Sequence, residues 1–371
     1  MTVDAAERLL ICADASSVHT RRWVQAMADR GFDCHVLTRR FATLPGARDV
    51  VTLRAGGDAA GWFTALPALR AHARRLRPRW VHGHYLTSYG LWAAAAARAA
   101  AAPLVLTAWG SDVLVTPRAP GLRGRLMRTL VGRTLRRAAL VTADSHDALD
   151  AIADYGGPAR RELVLWGADV AFFRPGTPAP GFEIASLRAW EPNYRIDVVL
   201  RAVAGLRATR PDAALRLHLL GGGPQASALQ ALAASLNLDG VACFTGRVDD
   251  DGLRAVLQRC RVSVSVPASD ATSVSVLESM ACGLPVVASD LPANRAWIDA
   301  AELIVAGDDP NALVAGLTAA LIRLHDDPQG ASAIGHHNRV RVEHDASRAT
   351  EMDRMAALYR SLPPPQSAAA L

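Results

Sequence analysis

The 371-residue chain is half hydrophobic and one-fifth charged, and all 41 of its basic residues are arginine, for a net charge of +6. That is enough chain for two full cores, and the lack of lysine excludes a Schiff base, a lysine general base and a P-loop lysine. Five scattered cysteines without a CxxC pair argue against a disulfide framework or a cysteine-built zinc site and fit a reducing cytoplasm.

Short apolar runs alternate with amphipathic stretches along the chain. In order they are "RLLICAD", "CHVLT", "VVTL", "WVHGH", "LVLTAW", "ALVTAD" and "ELVLW", then "FEIASLR", "LRLHLL", "VACFTG", "RVSVSV", "LPVVAS" and "ELIVA". Runs this short, bounded by turn residues and separated by longer helical segments, predict parallel strands buried on both faces. Thirteen are too many for one open sheet. The break falls at "FFRPGTPAPGF", with three Pro and two Gly in eleven residues. The expectation is α/β throughout. Residues 1–172 form one Rossmann-like doubly wound domain and 173–348 a second, facing a central cleft, and a C-terminal helix in 349–371 crosses back to the first. "PPPQSAAAL" reads as a tail.

"LWAAAAARAAAAPLVL" is broken by Arg98 and Pro103, so it predicts an Ala-rich helix and then a strand, not a membrane span. Asp4 and Glu7 stand where a signal peptide would be basic and then apolar. The charge is uneven. Residues 1–172 carry 23 Arg against 14 acids, and 173–371 carry 18 Arg against 21. A basic first half suggests an acidic partner. "RAPGLRGRLMRTLVGRTLRRAAL" places seven Arg among Leu122, Leu126, Met127, Leu130, Val131 and Leu135. An Arg-rich amphipathic helix of this kind either lies on anionic lipid or packs its Leu face on the sheet beneath.

Ligands in open α/β sheets bind beyond the carboxyl ends of strands, and several such ends carry chemistry. His82 and His84 share one side of a strand, and "LTAWGSD" sets Trp109 and Asp112 at the end of the next. No third metal ligand follows at a recognisable spacing. Arg188 ends the first strand of the second half, where a guanidinium clamps a diphosphate or is merely exposed. Gly221, Gly222 and Gly223 join a strand to a helix, either letting a ligand reach the backbone or making a bare turn. In "DATSVSVLESMACGLPVVASD" a helix starts near Ser273, with Asp270 in the loop before it and Glu278 inside it. An acid on each side of a phosphate site suits a nucleotide sugar. The plain alternative makes Asp270 a cap and leaves Glu278 on a wet face.

Taken together these segments resemble the family 4 glycosyltransferases, retaining enzymes of the GT-B fold. "SSVHTRRWVQAMADRGFDCHVLTRR", "TAWGSD", "VTADS", "WGADVAFFRP", "LGGGPQASALQALAASLNL" and "VACFTGRVDDDGLRAVL" are similar to that family's segments and keep its order. The Asp270-x7-Glu278 spacing with "LESMACGLPVVASD" resembles its most specific motif.

The resemblance implies sugar transfer from a UDP- or GDP-sugar to a carbohydrate or lipid-linked acceptor, with no metal or cofactor and no nucleic acid. It implies a cytoplasmic enzyme, with an anionic membrane surface as a further partner. Glu278 would bind the ribose and Asp270 would lie near the transferred sugar. Arg188 and the N–H groups of Ser273 and Val274 would hold the diphosphate, with Gly222 and Gly223 on the donor side. Backbone around Arg247 and Val248 would hold the base. Ser16, Ser17, His84, Trp109 and Asp112 would face the acceptor.

There are departures. Where the family has a Lys after its phosphate Arg, position 194 is Tyr with Arg195 next, so either Arg195 takes that role or Arg188 works with the helix dipole alone. The first acid of the motif is Asp rather than Glu, Ser16 and Ser17 replace glycines, and Trp109 stands where many relatives have His. Two competing readings are an NAD-dependent dehydrogenase, resting on the Gly221 turn, and a catalytically inactive nucleotide-sugar-binding protein.

Overall fold

The computed structural model of the chain describes residues 7–53, 59–118, 120–158, 160–307 and 309–365. The end of the predicted tail, 366–371, lies outside them. Two compact units form, one from residues 1–165 with 349–371 and one from 166–348.

The first unit holds a seven-stranded sheet of β1 (Arg8–Cys12), β2 (Asp33–Thr38), β3 (Ala47–Thr52), β4 (Trp80–His84), β5 (Leu104–Thr107), β6 (Leu140–Ala143) and β7 (Arg161–Leu163), in the order β3-β2-β1-β4-β5-β6-β7. The second holds β8 (Phe182–Ser186), β9 (Leu215–Leu220), β10 (Ala242–Gly246), β11 (Val262–Ser265), β12 (Val286–Ser289) and β13 (Ile304–Val305), in the order β10-β9-β8-β11-β12-β13. Every pairing is parallel. All thirteen strands overlap the apolar runs read from the sequence, with β2, β3 and β7 beginning one to three residues before theirs. The central strands run largely apolar because helices cover both faces, and apart from Arg8 at the start of β1 they are buried.

In each sheet the winding direction reverses once, between β1 and β4 and between β8 and β11. Those two switch points open the crevices in which such folds bind ligands.

The division falls after Leu165 rather than at 172, because the segment that follows is tied to the second unit. Ala168 bridges Ser347, Arg348 pairs with Asp169 at 2.6 Å, and a Cβ on Gly167 would meet backbone at 346–348 within 2.7 Å. The helix Arg348–Arg360 then closes on the first unit. The Tyr359 hydroxyl meets His82 Nδ1 at 2.6 Å, Glu351 accepts the Leu165 N–H at 2.8 Å, and Arg360 pairs with Glu7 at 2.7 Å. The alanine-rich stretch is the helix Ser88–Ala100, followed by β5. Among the described residues, no helix is long and apolar enough to cross a membrane.

Candidate functional site

At the β8/β11 switch point, Arg188 lies two residues beyond β8 and Asp270 five beyond β11. The Arg188 guanidinium donates to Asp270 Oδ2 at 2.6 Å, to Ser275 Oγ at 3.1 Å and, more closely still, to Ser273 Oγ. It lies 4.4 Å over the ring of Tyr194. Ser273 is the N-cap of the helix Val274–Ala281, yet its hydroxyl makes no capping bond and serves Arg188 instead. The first N–H groups of that helix have no side-chain cap, and its first serines hold the guanidinium beside them. A guanidinium beside an uncapped helix start is an arrangement whose chemistry suits a phosphate-type anion. Burial pushes the Asp270 carboxyl up, and Arg188 pulls it partly back.

The cap reading of Asp270 gives way, since Ser273 holds the cap. The wet-face reading of Glu278 gives way as well, since that side chain is buried. Two functional candidates were missed at the level of sequence. Tyr194 backs the guanidinium. Asn193 holds the Asp270 loop through its amide to Ser269 O at 3.0 Å and from Ser269 N at 3.2 Å, while its carbonyl accepts from Ala268 at 2.7 Å. The Pro-Asn turn in "EPNYR" was the available signal.

Arg195 is not brought to this cluster. It opens the helix Ile196–Thr209 with a left-handed φ of 50°, and among the described residues its guanidinium makes no ion pair.

The three glycines divide by role. A Cβ on Gly221 would lie 2.3 Å from Arg188 O, and one on Gly223 would lie 2.4 Å from Trp190 O. Both are glycine so that the β9 loop can press against the segment carrying Arg188. Gly222 meets nothing closer than Arg247 at 3.7 Å, which leaves it as the glycine open to a ligand. Arg247 and Val248 are exposed beyond the edge strand β10.

Elsewhere in this unit Glu183, His218 and Cys260 gather with their ligand atoms within 4.8 Å of one another. The Glu183 oxygens are already taken, by Arg259 at 2.8 and 3.2 Å and by His218 at 2.8 Å, so the group is a satisfied polar cluster.

At the β1/β4 switch point of the first unit, Ser16 is exposed and its hydroxyl donates to Asp14 at 2.7 Å, while Ser17 stands at the N-cap position of the helix Val18–Ala28 without a side-chain capping bond. His82 and His84 are fully buried with ring centres 4.8 Å apart. Both nitrogens of His82 are engaged, by Tyr359 at 2.6 Å and Thr107 at 2.8 Å, so half of the imagined metal pair is structural. Burial, helped by His19, pushes His84 down to about 3, and it is neutral at pH 7.

Trp109 is half-buried and packs edge-on to His19 and at a tilt to His84, each 5.1 Å away. Asp112 is buried and does not cap a helix. Its oxygens accept the Leu86 N–H at 2.6 Å and the Trp109 N–H at 2.9 Å, and burial pushes its carboxyl up to about 6. One carboxylate thus ties the loop after β4 to the loop after β5.

Two all-parallel Rossmann-like units, the second with an arrangement suited to an anion at its switch point, define the GT-B class of glycosyltransferase. Residues 8–145 match the family described as "Glycosyl transferase 4-like" and residues 184–324 match "Glycosyl transferases group 1". The D-inositol 3-phosphate glycosyltransferase of Frankia alni is 31% identical over 68% of this chain and 69% of its own length. The enzyme of the same name from Acidothermus cellulolyticus is 28% identical over 84% and 81%. The Anabaena HepE structure with UDP-glucose superposes with a TM-score of 0.79 at 17% identity, covering 96% of this chain and all of that one. The chain belongs to the family 4, or group 1, glycosyltransferases. Nothing in these likenesses supports a dehydrogenase.

Proposed function

We propose that the protein is a retaining transferase that moves a sugar from a UDP- or GDP-sugar to an acceptor hydroxyl in glycolipid or polysaccharide assembly, without a metal. The observation that carries this reading is the Arg188 guanidinium, set between Asp270 and the serines at the start of the helix Val274–Ala281. In this reading Arg188 and the N–H groups of Ser273 and Val274 bind the diphosphate. Glu278 binds the ribose, Gly222 and Gly223 lie beside the donor, and the loop at Arg247 and Val248 holds the base. Asp270 meets the transferred sugar once the diphosphate has drawn Arg188 away from it.

The bond from the sugar's anomeric carbon to the diphosphate breaks. A bond to the acceptor oxygen forms on the same face, and the acceptor proton passes to the departing phosphate oxygen. The protein's task is to stabilise charge growing on that phosphate, where one aimed donor is worth about 10²–10³ in rate. Ser16, Ser17, His84, Trp109 and Asp112 belong to the acceptor side. Neutral His84 has little capacity to act as a base at pH 7, so it shapes that side without taking the proton.

Calorimetry with UDP- and GDP-sugars tests the donor site. Wild type should bind one of them, and Glu278→Gln should weaken that binding by roughly 1–3 kcal/mol, the scale of a lost charged hydrogen bond, with the fold intact. Unchanged affinity in the variant would remove Glu278 from the site.

The same reading places the first unit on an anionic membrane. The helix Gly121–Leu135 buries Val131 and Leu135, but Leu122 is 84% exposed and Leu126 57%. The exposed Arg125, Arg128 and Arg133 flank them. Apolar side chains that the sheet leaves uncovered, ringed by guanidinium groups, suit the headgroup boundary of an acidic bilayer. Binding to anionic vesicles should rise with acidic lipid, fall with salt and weaken in Leu122→Ser with Leu126→Ser. Protein left in the supernatant at low salt would refute the membrane contact.

A further inference from the structure

Among the described residues, five other than glycine have a left-handed φ: Arg77, Tyr85, Ala101, Arg195 and Asn237. Arg77 and Ala101 end helices, Asn237 lies just past one, and Arg195 opens one. Tyr85 alone follows a strand directly, at φ 68° immediately after β4. A bulky aromatic residue in this region is strained, and the surroundings are built to keep it there. Its N–H donates to Thr107 O at 3.0 Å. The next N–H, of Leu86, is held by buried Asp112 at 2.6 Å. Gly90 lets the following helix close on the Tyr85 carbonyl, which a Cβ at that position would meet at 2.4 Å.

The constraint has a visible product. The Tyr85 ring stacks on Trp109 at 5.3 Å and 25°, and Asp112 fixes the backbone of both residues at once. Both rings are half-buried at the carboxyl end of the sheet. A strained residue that its surroundings hold beside a crevice is the kind of outlier from which a function is inferred.

We propose that the Tyr85–Trp109 pair is an acceptor platform that selects the C–H face of a neutral sugar ring over a phosphorylated polyol. The proposal rests on reading the first unit as the acceptor side. Aromatic faces carry partial negative charge, which attracts the weakly positive C–H groups of a pyranose and disfavours phosphate. The strand ends around the platform strengthen that preference, since Asp14, Asp112 and Asp144 follow β1, β5 and β6. Arg39, beyond β2, lies 4.6 Å over Trp62 instead. Tyr85 is thus a specificity residue, and Asp112 positions it.

The test is saturation-transfer NMR on the whole chain with UDP or GDP present. The probes are methyl α-D-glucopyranoside, methyl α-D-mannopyranoside, methyl α-D-galactopyranoside and D-inositol 3-phosphate. Wild type should bind at least one glycoside more tightly than the inositol phosphate, with saturation strongest on one C–H face. Tyr85→Asn keeps a residue that tolerates the left-handed region. It should remain folded and bind nucleotide as before, and lose roughly tenfold or more in glycoside affinity, as loss of a stacking ring does elsewhere. Tighter binding of the inositol phosphate, no glycoside binding to wild type, or unchanged affinity in Tyr85→Asn would each overturn the proposal. If nucleotide still binds in those cases, the donor reading stands. If it does not, the failure lies in the function proposed above.

Discussion

At the scale of single residues, the Arg188–Asp270 pair sets a testable sign. In the free protein Asp270 occupies the guanidinium that a donor diphosphate needs. Neutralising the carboxylate should therefore strengthen donor binding while slowing transfer. Asp270→Asn should bind UDP-glucose, or its GDP counterpart, severalfold more tightly by calorimetry and turn over more slowly. Burial raises the Asp270 carboxyl, so in wild type the same release occurs by protonation. Donor affinity should rise as pH falls into the raised range of that carboxyl and be flat in the variant, and equal pH profiles would defeat the idea. Arg188→Ala should cut kcat/KM by about 10²–10³, and Arg195→Ala should stay near wild type. Asp270 and Glu278 stood out because an acid-hydroxyl run before a buried helix is an unusual use of residues, and Arg188 only by its place at a strand end. Tyr194 and Tyr85 did not. Ring stacking is a contact in three dimensions, and a left-handed φ leaves no mark on a tyrosine codon.

Among elements, strands were the most readable, because burial on both faces forces near-continuous apolar runs in the central strands, while the edge strands β3, β7 and β10 are only partly buried. Their order was not readable. The reversals beside β1 and β8 come from how helices cross the sheet, and that is what brings Arg188 to Asp270 across 82 residues. The glycine turn after β9 was read either as a ligand approach or as a bare turn, because close backbone approach and ligand access both demand glycine. Substitution separates them. Gly223→Ala drives a Cβ to 2.4 Å from a backbone oxygen of Trp190, so it should destabilise the unit by about 1–3 kcal/mol and weaken donor binding by displacing Arg188. Gly222→Ala has room and should leave the melting temperature almost unchanged. Equal losses from the two changes in thermal unfolding would show that the turn is not a packing device.

For the whole molecule, the Pro-rich stretch suggested a break at 172, whereas the two compact units divide after Leu165, where the pairing of Ala168 with Ser347 joins segments far apart in sequence. The division into two units also carries a prediction about acid. In the first unit His82 and His84 are buried neutral, with pKa values far below the ordinary imidazole value. Such groups contribute stability that is present above about pH 6.5 and lost as pH falls toward the folded pKa. For His84, at about 3, the loss by pH 4.5 is of order 3 kcal/mol. Asp112, raised to about 6, works the other way. Its folded form holds the proton more tightly than the unfolded chain, so acidification returns roughly 2 kcal/mol by the same pH, and Glu351 shifts in the same direction. His82 and partly buried His72, also lowered, tip the balance toward loss. In the second unit the shifted carboxyls Glu183, Asp290, Asp299 and Asp326 are lowered, so their contribution fades only once pH drops into the unfolded carboxylate range near 4. Asp270, being raised, gains. Between pH 6.5 and 4.5 the first unit should therefore weaken alone. Hydrogen exchange, corrected for its intrinsic pH dependence, should show β1, β4 and β5 losing protection at pH 4.5 while β8, β9 and β11 keep theirs. Loss in both sheets together, or in the second sheet first, would mean that the buried histidines do not govern acid unfolding.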